Sequence, residues 1–562
     1  MKKRILSAVL TGVLLIGLVF GADFAASHPA EAKLDMENAT ALSLMQQLNT
    51  ADENVIDDKY RTFYEVFVYS FYDSDGNGIG DLQGLIDKLD YINDGDPETD
   101  TDLGCNGIWL MPIMPSSTYH KYDVTNYEEI DPSYGTLDDF KTLITECHKR
   151  GINVIIDLVM NHTSSHHKWF REASQYLKSL PEGAEPDASE CPYVEYYSFS
   201  KERNGGYNQL EGTDWYYESQ FWSEMPDLNW DNDAVKAEFE DVAKFWLNLG
   251  VDGFRLDAAK EFYSGNNEKN IEILKWFNDM VKAQKEDAYI VGEVWMDSTI
   301  YTQYYASGID SFFDFDFADK DGVIAKTVNG ISKAASYGKN LVNIQDLLKK
   351  SSDTAIDAPF YTNHDMARGA GYYSGDNSAA QTKIAEAMNL LMTGNAFLYY
   401  GEELGMKGAG KDENKRAPMY WSLDENAEGM CDGPKDMEPI KMKYDSLEEQ
   451  EKDGNSIYNY VKQVIALRNQ YPAIARGEVA FDEGISDTSI CAIQKTYEDE
   501  KLTIVFNISA ESQTVDLTKS SLGAAADDAG LQIAGELIDG TEVVTLEDNT
   551  LTMPAYSIVI LK

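Results

Sequence analysis

Cysteine is scarce. The 562-residue chain carries five, Cys105, Cys147, Cys191, Cys431 and Cys491, and no two are spaced as a Cys-x-x-Cys pair. That excludes a disulfide-stapled scaffold and gives no sign of a thiolate zinc site. At most two bridges could form, and the sequence does not pair them. Positive charge is also short: 47 Lys and Arg stand against 96 Asp and Glu, a formal net charge of −49. So acidic a surface repels nucleic acid and anionic lipid, and neither is expected as a partner. It keeps a protein soluble and suits a neutral or cationic ligand. Beyond the N-terminus no long uninterrupted apolar run occurs. At the N-terminus, "MKKRILSAVLTGVLLIGLVFGA" places Lys2, Lys3 and Arg4 before an apolar stretch. Small-residue sites follow near Gly21 and at Ala30-Glu31-Ala32, so residues 1–32 read as a secretory signal. The stretch is nearly long enough to span a bilayer, which leaves a retained N-terminal anchor as the alternative. No Cys follows it, so a lipoprotein is not indicated. An extracellular protein is expected, cell-surface associated if the anchor stays.

What is present is a long alternation. Residues 33–59 are polar and acidic and read as a linker. Short apolar stretches then alternate with helical periods. "EVFVYSF" (65–71), "NGIWLMP" (106–112) and "NVIIDLVM" (153–160) read as strands, the last nearly continuous, as a buried parallel strand is. "TLDDFKTLITECHKRG" (136–151) reads as a helix with a Thr cap and a terminal Gly. The rhythm breaks between 163 and 230, where aromatics, Ser, Gly and acids show little period, and an inserted subdomain is expected. It resumes with "VDGFRLDA", "YIVGEVW", "SFFDFDF", "APFYTNHD" and "AFLYYGEE", each followed by a helical stretch, and closes with "SIYNYVKQVIALRNQY". Eight strand–helix units predict an α/β fold, a (β/α)8 TIM barrel over 60–162 and 231–471. Short alternating strands such as "KLTIVFNI" and "AYSIVIL" predict a C-terminal antiparallel β-sandwich over 472–562.

"GFRLDAAK" (253–260) poses the chemical question, because it is a core strand holding two opposite charges. Residues two apart on a strand point to one side, so Arg255 and Asp257 project together, away from Phe254 and Leu256. Asp257 lies at the C-terminal end of its strand, where barrel enzymes build their sites. The next strand ends at Glu293. Neighbouring strands run about 5 Å apart. Two carboxyl groups about 5–5.5 Å apart across a sugar bond are what a retaining glycosidase needs. Asp257 is thus a candidate nucleophile, Glu293 a candidate acid/base, and Arg255 would hold Asp257 ionised. A purely structural ion pair would explain Arg255 and Asp257 alone. It does not explain Asn161, His162, His364 and Asp365 at other strand ends, since burying polar groups costs free energy unless they serve a site.

DLVMNH (157–162), GFRLDAAK (253–260), GEVW (292–295) and FYTNHD (360–365) resemble, in order, the four signature regions of glycoside hydrolase family 13, the α-amylase family. The resemblance runs from about residue 65 to the C-terminus. It implies that Asp257 is the nucleophile, Glu293 the acid/base and Asp365 the transition-state stabiliser. It implies that Arg255, His162 and His364 surround the sugar in subsite −1, that Tyr122 stacks on it, and that His120 and Lys260 contact substrate. MPDLN (225–229) resembles the group between oligo-1,6-glucosidases and neopullulanases, and Ala258 resembles α-1,4-acting members. Tyr119 stands where exo-acting relatives carry an Asp that closes the site, and Arg416 resembles the Arg that pairs with that Asp. With Tyr119 opposite it, the role of Arg416 is open.

"DSDGNGIGD" (73–81) alternates oxygen side chains around glycines like half of an EF-hand loop, although Gly84 replaces its final Glu. In many members of the family the loop after the first strand binds calcium. The resemblance therefore implies a Ca2+ site made by Asp73, Asp75, Asn77, Asp81 and the carbonyl of Ile79. The expected protein is a secreted, monomeric α-amylase acting on starch or malto-oligosaccharides. The alternatives are an α-glucosidase or 4-α-glucanotransferase on the same scaffold, or a non-catalytic, membrane-anchored glucan-binding subunit.

Overall fold

The computed structural model describes residues 59–96, 98–524 and 531–562. The expected signal segment and nearly all of the linker lie outside those residues. Eight parallel strands form the central sheet: β1 (Thr62–Val66), β2 (Gly107–Leu110), β3 (Asn153–Leu158), β7 (Gly253–Leu256), β8 (Tyr289–Gly292), β9 (Ser311–Asp314), β10 (Ile356–Pro359) and β11 (Ala396–Tyr399). Their order is β10-β9-β8-β7-β3-β2-β1-β11, and a parallel bridge between Phe360 and Phe397 joins the two ends into a barrel. Side chains pointing inward, among them Phe63, Trp109, Ile155, Val291, Phe313 and Phe397, fill the interior, so the barrel is a packed core. Gly253 is required where it stands. Its φ is +158°, and a Cβ there would lie 1.7 Å from the Tyr289 carbonyl oxygen. The missing side chain lets β7 lie close against β8, which brings Asp257 beside Glu293.

The outer helices follow the apolar period. In Leu137–Lys149, Phe140, Leu143, Ile144 and Cys147 face the core, and Thr136 and Asp139 form a reciprocal capping box that satisfies the first free amides. Helices Asp233–Asn248, Asn267–Gln284, Ala334–Ser351, Ser378–Leu390 and Ile457–Gln470 occupy the expected stretches. The first strand lies earlier than the expected 65–71, starting at Thr62. It stops at Val66, and Val68–Ser70 form a 3-10 turn, because the chain bends there to accept a bond from Gly80 to the Tyr69 carbonyl and to place Ser70 against Arg416.

The insertion between β3 and β7 holds an antiparallel sheet, β4 (Phe199–Ser200), β5 (Tyr207–Gln209) and β6 (Tyr216–Glu218), with β6 in the centre. It also holds a helix, Lys168–Ser179, that the aromatic-rich sequence concealed. Trp169, Phe170, Ala173 and Leu177 give it one buried face. Backbone bridges His162–Asp227 and Tyr197–Leu228 fasten the insertion together and to the end of β3.

The C-terminal strands are β12 (Glu478–Phe481), β13 (Ile490–Tyr497), β14 (Glu500–Asn507), β15 (Gln513–Asp516), β16 (Ile533–Leu537), β17 (Thr545–Glu547), β18 (Thr550–Met553) and β19 (Ser557–Leu561). They form a five-stranded antiparallel sheet, β12-β13-β14-β19-β16, and a three-stranded one, β15-β18-β17. The period of two divides the faces. Ile490, Ala492, Val505 and Val559 pack against the smaller sheet, whereas Cys491, Ile493, Ile504 and Phe506 join the main core. All five cysteines are buried free thiols. No described helix is long and apolar enough to cross a membrane.

Candidate active site

One guanidinium organises the site. Arg255 is wholly buried in the middle of β7. Its Nη1 lies 2.9 Å from both carboxylate oxygens of Asp157 and 2.8 Å from Oδ1 of Asp257, and its Nη2 lies 3.1 Å from Oε1 of Glu293. Trp109 and Tyr122 present ring faces to the same group, 5.0 and 5.8 Å away. The cation is thus surrounded by three carboxylates and two rings. Burial disfavours its charge, but Asp157 and Glu293 outweigh that and hold its pKa well above the ordinary value.

Asp257 and Glu293 are mostly covered, with 13% and 10% of their side-chain surface exposed. The Ala258 amide donates to Oε2 of Glu293 (3.1 Å) and the Ala259 amide to its carbonyl (2.9 Å). Ala258 adopts φ +46°, a left-handed conformation that costs energy outside glycine and that turns the chain after Asp257 onto Glu293. Burial pushes the Glu293 carboxyl above the usual carboxylate range. Arg255 opposes this, while Asp257 and Asp365 add to it.

His364 and Asp365 leave the end of β10. His364 is buried, its Nδ1 2.6 Å from Oε1 of Glu65 on β1 and its Nε2 3.2 Å from Oδ2 of Asp365. Burial works against a charge on the ring, but Asp365 and Glu65 outweigh it and raise the pKa to about 9. Asp365 is held well below the usual range; burial opposes this and is overcome by His364 and then Arg416. The Tyr122 hydroxyl donates to Oδ2 of Asp157 (3.0 Å) and lies 2.8 Å from Nε2 of His364, on which its ring also stacks at 5.4 Å. His162 points its Nε2 at the Tyr122 carbonyl, 3.2 Å away, and burial lowers its pKa. Asn161 reaches across to Oδ1 of Asp227 at 3.1 Å, tying the strand end to the insertion.

The fold therefore brings Asp257, Glu293, Asp365, Arg255, His162, His364 and Tyr122 together. His120 lies beside them. Its Nδ1 accepts from the Tyr122 amide at 3.1 Å, and its pKa is pushed down to about 4 by burial, with the Arg416 charge adding to it, so the ring is neutral. The Lys260 amine pairs with the adjacent Glu261. Sequence reading missed Asp157 and Glu65. Both are single acids in apolar strands, and a charge inside a buried strand is the signal that could have found them. Arg416, whose role was open, donates from Nη2 to Oδ1 of Asp365 at 3.0 Å.

In the acidic loop, oxygens of Asp73, Asp75 and Asp81 lie within 4.8 Å of one another. Backbone amides of Asp75, Gly76 and Gly78 donate to Asp73, and Asp81 caps the helix Leu82–Asp87 through the Gly84 amide. Three converging carboxylate groups form a hard-oxygen donor set of the kind that suits a calcium ion. Asn77 and Ile79 lie in the same turn, where the Asn77 side chain accepts from the Ile79 amide at 2.9 Å.

Residues 65–477 match the sequence profile of the α-amylase catalytic domain, and residues 490–560 that of the C-terminal domain of the α-amylase SusG. The chain belongs to the α-amylase family, glycoside hydrolase family 13, and is a hydrolase of that family. It is 38% identical over 463 residues to "Alpha-amylase 3" of Dictyoglomus thermophilum, covering 81% of this chain and 86% of that protein. It is 31% identical over 524 residues to the "Trehalose synthase/amylase TreS" of Mycobacterium tuberculosis, covering 82% and 83%. Among solved structures, Eubacterium rectale Amy13B superposes with a TM-score of 0.87 at 54% identity, over 92% of this chain and 98% of that one.

Proposed function

We propose that this protein is an endo-acting, retaining α-amylase that hydrolyses α-1,4 bonds within starch and related glucans. The observation that carries the reading is the contact of one Arg255 guanidinium with both Asp257 and Glu293. Carboxyl groups close enough to share a guanidinium support double displacement, which needs about 5–5.5 Å, over inversion, which needs a gap wide enough for water, about 6.5–9.5 Å. Asp257 attacks the anomeric carbon and the glycosidic bond breaks, leaving a covalent glycosyl ester. Glu293, its pKa raised, holds the proton that the departing oxygen takes. It then removes a proton from the water that cleaves the ester. Asp365, kept ionised, faces the positive charge that develops at the sugar ring. Tyr122, stacked on His364, gives that sugar its floor.

Endo action is supported by Tyr119. A tyrosine supplies no carboxylate to seal the cleft, so a long chain can continue past the first sugar. Calcium in the loop of Asp73, Asp75, Asn77, Ile79 and Asp81 would act as a structural ion, neutralising the converging acids. Secretion and a monomeric state rest on the sequence alone. The competing reading is an α-glucosidase or glucanotransferase, and a 28% identity to an "Oligo-1,6-glucosidase" of Parageobacillus thermoglucosidasius speaks for the glucosidase.

The time course on starch separates them. Iodine staining of amylose should fall much faster than reducing ends accumulate, and a maltoheptaoside blocked at its non-reducing end should be cleaved. Glucose as the sole early product would mean exo action, and longer chains would mean transfer. If the blocked substrate survives while the unblocked one is hydrolysed, endo action is wrong.

A further inference from the structure

We propose that Arg416 is a positioning residue for Asp365, and that Tyr119 leaves it free for that task. The proposal rests on the reading of Asp365 as the group that faces the developing charge. The Arg416 side chain is 4% exposed, and its Nη2 donates to Oδ1 of Asp365 at 3.0 Å. The other oxygen of that carboxylate lies 3.2 Å from Nε2 of His364. Asp365 is thus held by a hydrogen bond from Arg416 on one oxygen and by the charge of the adjacent His364 ring beside the other. That fixes the rotation of a short side chain which is otherwise a third exposed. The backbone of Arg416 is pinned as well: the buried Ser70 hydroxyl, at the end of the first strand's turn, donates to the Arg416 carbonyl at 2.8 Å.

Tyr119 decides where the arginine points. Its hydroxyl is 3.5 Å from Nη1 of Arg416, at the limit of a hydrogen bond, and its ring centre is 6.0 Å from the guanidinium carbon. It offers no negative charge. The next acid, Asp412, is 3.9 Å from Nη1 and largely exposed, so it competes weakly. A carboxylate at 119 would take the guanidinium as a bidentate partner and draw it off Asp365. The identity of residue 119 therefore sets two properties together, the openness of the cleft and the orientation of Asp365.

The test compares Arg416→Gln, Arg416→Lys and Tyr119→Asp by kcat and KM on malto-oligosaccharides of several lengths, with melting temperature as the folding control. Arg416→Gln should lower kcat roughly a hundredfold by the same factor on every chain length, with KM nearly unchanged, as expected when a group near the reacting atoms is misplaced. Arg416→Lys should recover about tenfold of that loss, and Tyr119→Asp should lower kcat in the same direction. An arginine that only lines the cleft would instead raise KM, more for longer chains; that result, or a kcat within about twofold of the parent, overturns the proposal. If Arg416→Gln does not fold, the lysine and Tyr119→Asp variants decide by the same criteria. An active Asp365→Asn variant would sink the underlying reading of the site, whatever Arg416 does.

Discussion

Arg255 and Asp157 stand opposite each other in the register of β7 and β3, and Nη1 of the arginine lies 2.9 Å from both oxygens of the aspartate. Neither side chain reaches solvent. Asp157 also accepts from Tyr122, so one acid holds both the cation beneath Asp257 and the ring proposed to carry the sugar. Breaking a buried pair by removing one partner's charge costs about 3–5 kcal/mol. Asp157→Asn should therefore lower the melting temperature measurably and reduce kcat, because the guanidinium then shifts toward Asp257 and Glu293. Unchanged melting and unchanged kcat together would show that the pair is incidental.

Asp257→Asn keeps the shape of the side chain and removes its nucleophilicity. Activity should fall by several orders of magnitude with the fold intact by circular dichroism. A variant keeping about a tenth of the activity would refute the assignment, since removal of a nucleophile is not so mild. Glu293→Gln should lose most on substrates with poor leaving groups and least on nitrophenyl glycosides, whose departure needs no proton. An equal loss on both would remove Glu293 from the acid role.

His364 should set an alkaline limit on stability. Its folded pKa of about 9 lies above the ordinary imidazole value of about 6.5. A group with a raised pKa adds stability that is fully present below the unfolded pKa and is lost as pH rises through the folded one. The melting-temperature advantage of the parent over His364→Gln should be constant below about pH 6.5 and shrink steadily to about pH 9 and beyond. An advantage that is flat from pH 6 to 10 would mean that the ring carries no charge in the fold.

The acidic loop allows a clean metal test through Asp75, which is exposed and accepts from the Asn77 amide, whereas Asp81 also caps a helix. Calcium at about 100 times its Kd should stabilise the native state by about 2.7 kcal/mol, and a chelator should remove that gain. Stability should respond first and activity second. Asp75→Asn should blunt the calcium response with little change in the chelated protein. Equal melting temperatures with calcium and with chelator would count against the site.

The sequence by itself determined the barrel and the clustering of polar residues at the ends of most of its strands. A buried strand has a period of two, so Arg255 and Asp257 had to share a side, and the strand–helix rhythm placed Glu293 on the next strand. The glycine-rich acidic turn was legible for the same local reason. The sequence did not reveal the helix Lys168–Ser179, because it is a short amphipathic stretch inside a long aromatic-rich segment of little overall period, or the early end of β1, which is set by contacts with residues 80 and 416. The partners of the charged groups belonged to the tertiary structure alone. Glu65 lies 299 positions from His364, Asp157 lies 98 from Arg255, and Arg416 lies 51 from Asp365. Local pattern says which residues are buried and which way they face. Which charge meets which is decided by the closure of the barrel, where a buried ion must find a counterion from whatever strand lies beside it. That is why Arg416 could be named from sequence but given a partner only once the fold set it against Asp365.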